Sequence, residues 1–205
     1  MNRLFLSSMF SDVSKLFGDY VGECRLGKRV TFIPTAARHE KINFYVNAGR
    51  KSLEKLGLIV DVLDVSTADR SEISARLSQN DIIYVSGGNT FFLLQELKKS
   101  GADLIIREQI QSGKIYIGES AGSVIMANNI EYVKEIDDIK AAPELSSYDA
   151  LGITGFYPLP HYRNIPFKKS IEKIIQDYSA TLPLVPFSNS QAILVNGDTY
   201  EVIKK

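Results

Sequence analysis

Short apolar runs alternate with stretches of helical periodicity along most of the chain. Arg3 to Ser8 reads as a first strand, edge or inner, and residues 12–17 as a short helical turn. Lys28 to Pro34 is a second strand, ended by Pro34-Thr35-Ala36. From His39 a helix is expected, with Ile42, Tyr45, Val46, Leu53 and Leu56 at helical spacing and Gly57 as its stop. Leu58 to Leu63 is a third strand, Asp69 to Leu77 a helix, and Asp81 to Ser86 a fourth strand closed by Gly87-Gly88-Asn89-Thr90. Phe91, Leu94 and Leu97 mark the next helix, and Ala102 to Gln111 another. Ile115, Tyr116 and Ile117 form a fifth strand, and Ser123 to Ala127 start a helix. Residues 128–150 break the rhythm, being polar, irregular and partly acidic, and are expected to form a loop or short strand excursion over the sheet. Phe156 to Leu159 is a short strand, and Ile171, Ile174, Ile175 and Tyr178 mark a helix. Leu182 to Pro186, Ala192 to Val195 and Thr199 to Ile203 are terminal strands, the last two joined at Asn196-Gly197, a hairpin signal.

The apolar strands lack clean period-two alternation, so both faces of the sheet should be covered. Strands alternating with helices then predict an α/β fold: a mostly parallel sheet with helices on both faces, in a single domain over 1–205. Ligands of such sheets sit at the carboxyl ends of the strands. Gly87-Gly88 and Ser120 both fall at such ends, so they can face one crevice.

Composition narrows the chemistry. Lysine plus arginine equals aspartate plus glutamate, 24 each, which gives no reason to expect nucleic acid or an anionic membrane as partner. The single cysteine, Cys24, excludes an internal disulfide, fits a reducing compartment and reads as passive. No apolar run approaches the roughly 20 residues of a membrane span. The apolar patch at the N-terminus is too short for a signal peptide, so the chain is expected to be cytoplasmic. No Cys/His cluster suggests zinc and no acidic loop resembles a calcium site, so no cofactor is expected.

Gly118-Glu119-Ser120-Ala121-Gly122 matches G-x-S-x-G between a strand and a helix, the setting of a strained nucleophile turn. A serine hydroxyl needs a base beside it. Of the two histidines, His39 reads as a solvated residue between Arg38 and Glu40, whereas His161 follows a strand in a loop beside the crevice. A third group must hold the base in the right tautomer. Glu131, Glu135, Asp137, Asp138 and Glu144 are all candidates, and the residues alone do not choose among them. The amides of Ala121 and of the Gly87-Gly88 turn are the candidate oxyanion donors.

This combination resembles the peptidase E (aspartyl dipeptidase) family of serine peptidases. The resemblance rests on Val85-Ser86-Gly87-Gly88-Asn89-Thr90, on Tyr116 to Gly122, and on Tyr148 to Gly152 followed by Pro158-Leu159-Pro160-His161-Tyr162. It implies a flavodoxin-like or class I glutamine-amidotransferase-like sandwich and a serine peptidase without metal. Ser120 would be the nucleophile and His161 the base, with Gly88 and Ala121 forming the oxyanion hole. Ungapped continuation from Ser120 puts the family's acidic member at Glu135. Asn89 and Arg163 would bind substrate, Arg163 pairing the carboxylate of an N-terminal Asp. Glu119 departs from the family pattern, and facing the cleft it would repel such a substrate.

The expected activity is hydrolysis of short peptides through a Ser120–His161–Glu135 triad and an acyl-enzyme, in a monomer or homodimer. A serine hydrolase acting on a non-peptide ester or amide, and a catalytically inactive flavodoxin-like binding protein, are the alternatives.

Overall fold

The computed structural model describes residues 1–22 and 27–205. Cys24, read above as passive, lies outside the described residues. The first half runs β1 (Arg3–Ser7), α1 (Phe10–Gly22), β2 (Arg29–Ile33), α2 (Phe44–Lys55), β3 (Ile59–Val62), α3 (Arg70–Gln79), β4 (Ile82–Val85) and α4 (Thr90–Ser100). The second half runs α5 (Ala102–Gln111), β5 (Ile115–Glu119), α6 (Ala121–Val124), β6 (Tyr157–Leu159), α7 (Lys168–Tyr178), β7 (Leu184–Pro186), β8 (Gln191–Asn196) and β9 (Thr199–Lys204).

Seven strands form one sheet in the order β3-β2-β4-β5-β1-β8-β9. The first five in that order are parallel, and β8 and β9 add an antiparallel hairpin beyond β1. β6 and β7 pair in parallel as a separate two-stranded sheet. The central strands feed two cores because successive side chains point to opposite faces. On one face Leu4, Leu6, Ile83, Val85 and Tyr116 pack with Ile73, Leu77, Leu93, Leu97, Ile106 and Ile110 of α3, α4 and α5. On the other, Phe5, Ile82, Tyr84, Ile115 and Ile117 meet Phe10, Val13 and Phe17 of α1 and Leu53 of α2. Burying both side-chain sets is why these strands read as continuous apolar runs. The edge strands differ: Ile59 and Val62 of β3, and Tyr200 and Val202 of β9, are exposed.

Two helices depart from expectation. α1 is a full 13 residues, since Phe10, Val13 and Phe17 supply an i, i+3, i+7 buried stripe that the polar residues between them mask. α2 starts at Phe44, so His39 is not on it. Before it, Thr35–Ala37 forms a 3₁₀ turn, and Arg38 is drawn away to an ion pair with Asp64 at 2.8 Å.

The 128–150 excursion is tied down. Tyr132 and Val133 join Phe91 and Leu94 of α4, Leu159 of β6 and Ile171 and Ile174 of α7 in a third buried cluster. The Tyr132 hydroxyl donates to the Pro158 carbonyl at 2.6 Å. The excursion thereby fixes β6, whose end carries His161.

Candidate active site

β4 and β5 are neighbours, with Val85 opposite Gly118, so the turns that follow them lie side by side. At the end of β5 the chain reverses on Ser120, whose φ of 49° and ψ of −108° are sparsely populated for a residue with a Cβ. Such a conformation costs on the order of 1–3 kcal/mol and persists only when its surroundings fix it. Here the Ser120 amide donates to the Ser7 carbonyl at 2.9 Å, and the Ser123 hydroxyl reaches the carbonyls of Ser7 (2.9 Å) and Gly118 (3.0 Å). The Tyr116 hydroxyl donates to the Gly122 carbonyl at 2.6 Å. A side chain at Gly122 would meet the Val85 carbonyl oxygen at 2.2 Å, so the motif's second glycine is a packing requirement.

His161 is held as closely. It too has a positive φ, 64°, and its amide donates to the Ser8 hydroxyl at 3.0 Å, which in turn donates to the Phe187 carbonyl at 3.1 Å. Phe167 stacks on the imidazole, with centroids 4.6 Å apart and planes 26° apart. Nε2 lies 2.9 Å from Ser120 Oγ, and Nδ1 lies 2.9 Å from Asn189 Oδ1. An amide oxygen only accepts, so Nδ1 carries the proton and Nε2 is left to accept from serine. Burial pushes the His161 pKa below its ordinary value, while the hydrogen bond to Asn189 opposes that shift.

Glu135 is not brought to His161. It lies on the outer side of the excursion, in an ion pair with Lys173 of α7. The ungapped placement fails because residues 130–142 fold into two 3₁₀ turns that carry position 135 to the surface. The other carboxylates of the stretch are also elsewhere. Glu131 pairs with Lys134, Glu144 pairs with Lys99, and Asp138 accepts from the Lys140 amide. Asp137 accepts from the Thr90 amide at 2.8 Å. Asn189 and Ser8 were not singled out from sequence. Both are small polar residues beside strands, and only the juxtaposition of the chain's two ends gives them partners.

The Gly87-Gly88 turn abuts Ser120: a Cβ on Gly87 would lie 3.2 Å from Ser120 Cβ. Gly88 has a φ of +136°, and a side chain there would strike the Ala36 backbone at 2.2 Å, so glycine is required twice over. Among the described residues, neither the Gly88 nor the Ala121 amide donates a hydrogen bond. Glu119 points beneath the turn rather than into the cleft and is 2% exposed. It accepts from the Phe10 amide (2.8 Å), the Tyr84 hydroxyl (2.7 Å) and the Gly87 amide. Burial still pushes its pKa up to about 7.

Two expected substrate-binding residues are engaged differently. The Asn89 side chain caps α4 by accepting from the Phe92 amide and donates to the Asp138 carbonyl, both at 2.9 Å. Asn89 still lines the cavity. Arg163 is exposed, lies over the Tyr162 ring at 5.0 Å, and is not part of the cavity lining. His39 also lies outside it, edge-on to Phe92. The cavity over Ser120 and His161 has a volume of about 560 Å³ and is walled by Tyr45, Phe44, Ile136 and Phe167 among others. Among the described residues no group of three or more His, Cys, Asp or Glu could hold a metal ion, and no helix is long and apolar enough to cross a membrane.

A hydrogen-bonded serine and histidine at the strand ends of a mostly parallel, helix-covered sheet define a hydrolase-type α/β site. Residues 4–203 match the sequence model of peptidase family S51, and the chain belongs to that family. It is a serine-type peptidase. The uncharacterized peptidase Lin0382 of Listeria innocua serovar 6a is 55% identical over 205 residues, 100% of this chain and 97% of the relative. Peptidase E of Shewanella amazonensis is 35% identical over 131 residues, 64% of this chain and 52% of that protein. The crystal structure of a candidate peptidase E protein from Listeria monocytogenes EGD-e superposes with a TM-score of 0.95 at 50% identity, covering 100% of this chain and 99% of that one. The fold expected from the resemblance to peptidase E is therefore the fold of the molecule.

Proposed function

We propose that the chain hydrolyses short peptides through Ser120 as nucleophile and His161 as base, with Asn189 in the third position. The observation that carries the reading is the 2.9 Å contact between Ser120 Oγ and His161 Nε2 on a strained strand-to-helix turn. Nε2 takes the hydroxyl proton as Oγ attacks the scissile carbonyl, and the imidazolium then gives that proton to the leaving amine. A water, deprotonated by the same nitrogen, releases the acid from the acyl-enzyme. The amides of Gly88 and Ala121 receive the oxyanion, which they can do because neither donates to another partner among the described residues.

Asn189 keeps the proton on Nδ1 and the ring in plane, as an acid would, but adds no negative charge to stabilise the imidazolium. A Ser-His-Asn arrangement has a counterpart in the Cys-His-Asn set of papain-like proteases. The preference for N-terminal Asp loses its support in the cavity, whose lining contains no lysine or arginine among the described residues. The test is hydrolysis of a dipeptide library by wild type, Ser120→Ala and His161→Ala. Turnover by wild type alone is expected. Undiminished turnover by Ser120→Ala would refute the mechanism.

A further inference from the structure

Bond cleavage uses the serine and histidine but leaves an acidic wall of the cavity unexplained. Glu40, Asp137 and Asp138 are among the residues that line it. Glu119 also contributes to the lining, although its carboxylate is turned inward to three donors. Asp137 is different: Thr90 at the start of α4 holds it through its amide and its hydroxyl, and Glu40 acts on it with a charge of the same sign. The helix end offers a partial positive charge, worth far less than a full cation. Burial, reinforced by Glu40, pushes the Asp137 pKa up to about 6.

The Tyr45 phenol is a second reporter of the same field. Burial raises its pKa first, and the charges of Glu40, Glu119 and Asp137 raise it further. The negative wall and the Ser120–His161 pair open on one cavity, so whatever presents a carbonyl to Ser120 also meets this wall. A substrate carboxylate there would add a like charge in a poorly solvated space. A substrate cation would supply the positive charge that the wall lacks among the described residues.

We propose that Asp137, assisted by Glu40, binds a positively charged group of the substrate beside the scissile bond, an ammonium or guanidinium, and so selects against acidic residues there. The proposal rests on the peptidase reading above. Two sources share this chemistry: the free amino terminus of a short peptide and a basic side chain.

Binding to the Ser120→Ala protein, followed by calorimetry, separates recognition from turnover. The probes are Ala-Leu, N-acetyl-Ala-Leu and Nα-acetyl-Lys-Leu. Ala-Leu, Nα-acetyl-Lys-Leu or both should bind at least about tenfold tighter than N-acetyl-Ala-Leu, which carries no cation, in line with a charge-assisted contact. Tight binding of Ala-Leu alone identifies the amino terminus, and of Nα-acetyl-Lys-Leu alone the side chain. Asp137→Asn, which can still accept from Thr90, should erase most of the preference, and the exposed Glu40→Gln should reduce it. Equal binding of all three probes, a preference unchanged in both variants, or binding of none overturns the proposal. The peptidase reading fails on a separate result, the absence of turnover and of covalent labelling at Ser120 in the wild-type protein.

Discussion

His161 turns its Nδ1 to the side-chain oxygen of Asn189, 2.9 Å away, and not to a carboxylate. The contact is built from both ends of the loop pair: the Asn189 amide donates to Asn164 Oδ1 at 2.9 Å, and the Tyr162 amide donates to the Phe187 carbonyl at 3.0 Å. In the proposed mechanism, orientation of His161 is thus separated from charge stabilisation, and the two can be measured apart.

Asn189→Ala should lower kcat by about a hundredfold with a small change in KM, since the imidazole loses its tautomer control but keeps its stacking on Phe167. Asn189→Asp should restore activity or exceed wild type, because a carboxylate adds the missing charge. Glu135→Gln should stay within about threefold, because an exposed ion pair contributes little. Steady-state kinetics on one dipeptide decides the rank order, and a crippled Glu135→Gln would contradict it.

Gly88→Ala should lose at least about a hundredfold in kcat. The new methyl group meets the Ala36 backbone and the residue sits at a φ of +136°, so the turn must move and take its amide with it. The loss should appear in kcat more than in KM. Full activity in this variant would remove Gly88 from the oxyanion site.

The acid limb of kcat/KM for an uncharged, N-acetylated substrate should be centred below histidine's ordinary value near 6.5. The sign follows from burial, which disfavours the imidazolium and keeps Nε2 free at lower pH. A limb centred above 6.5 would mean that a negative charge, which Asn189 does not supply, acts on His161.

Fold and site were legible to different degrees. The parallel sheet was readable because Phe5, Ile82, Tyr84 and Ile117 feed one core while Leu4, Leu6, Ile83 and Val85 feed the other, giving unbroken apolar runs. That Ser120 and His161 would face one crevice was readable, because each follows a strand at the carboxyl end of the sheet in a setting that few residue types fit. Asn189 was not, because its role comes from a pairing between loops 28 positions apart. Counting forward from Ser120 to Glu135 failed for a related reason: the excursion coils in 3₁₀ turns, so sequence distance does not measure spatial distance there. Which way Glu119 faces was not readable, and only packing shows it turned beneath the turn.

Glu119 also makes stability depend on pH. Its folded pKa, about 7, lies above the ordinary 4.5, so the folded state holds the proton more tightly. Its contribution is fully present below about 4.5 and is lost as pH rises through about 7. The stability difference between wild type and Glu119→Gln should therefore shift against wild type by on the order of 3 kcal/mol from pH 4.5 to 8. Urea unfolding across that range is the measurement, and parallel curves for the two proteins would refute the assignment.

The account's central claim is that Ser120 is activated by His161. A fluorophosphonate probe followed by peptide mass spectrometry tests it most directly, because only an activated serine reacts at a useful rate. Labelling of wild type at Ser120, with the rate reduced at least about a hundredfold in His161→Ala and unchanged in His39→Ala, is the predicted result. A wild-type protein that stays unlabelled, or a His161→Ala variant that labels as fast as wild type, would contradict it.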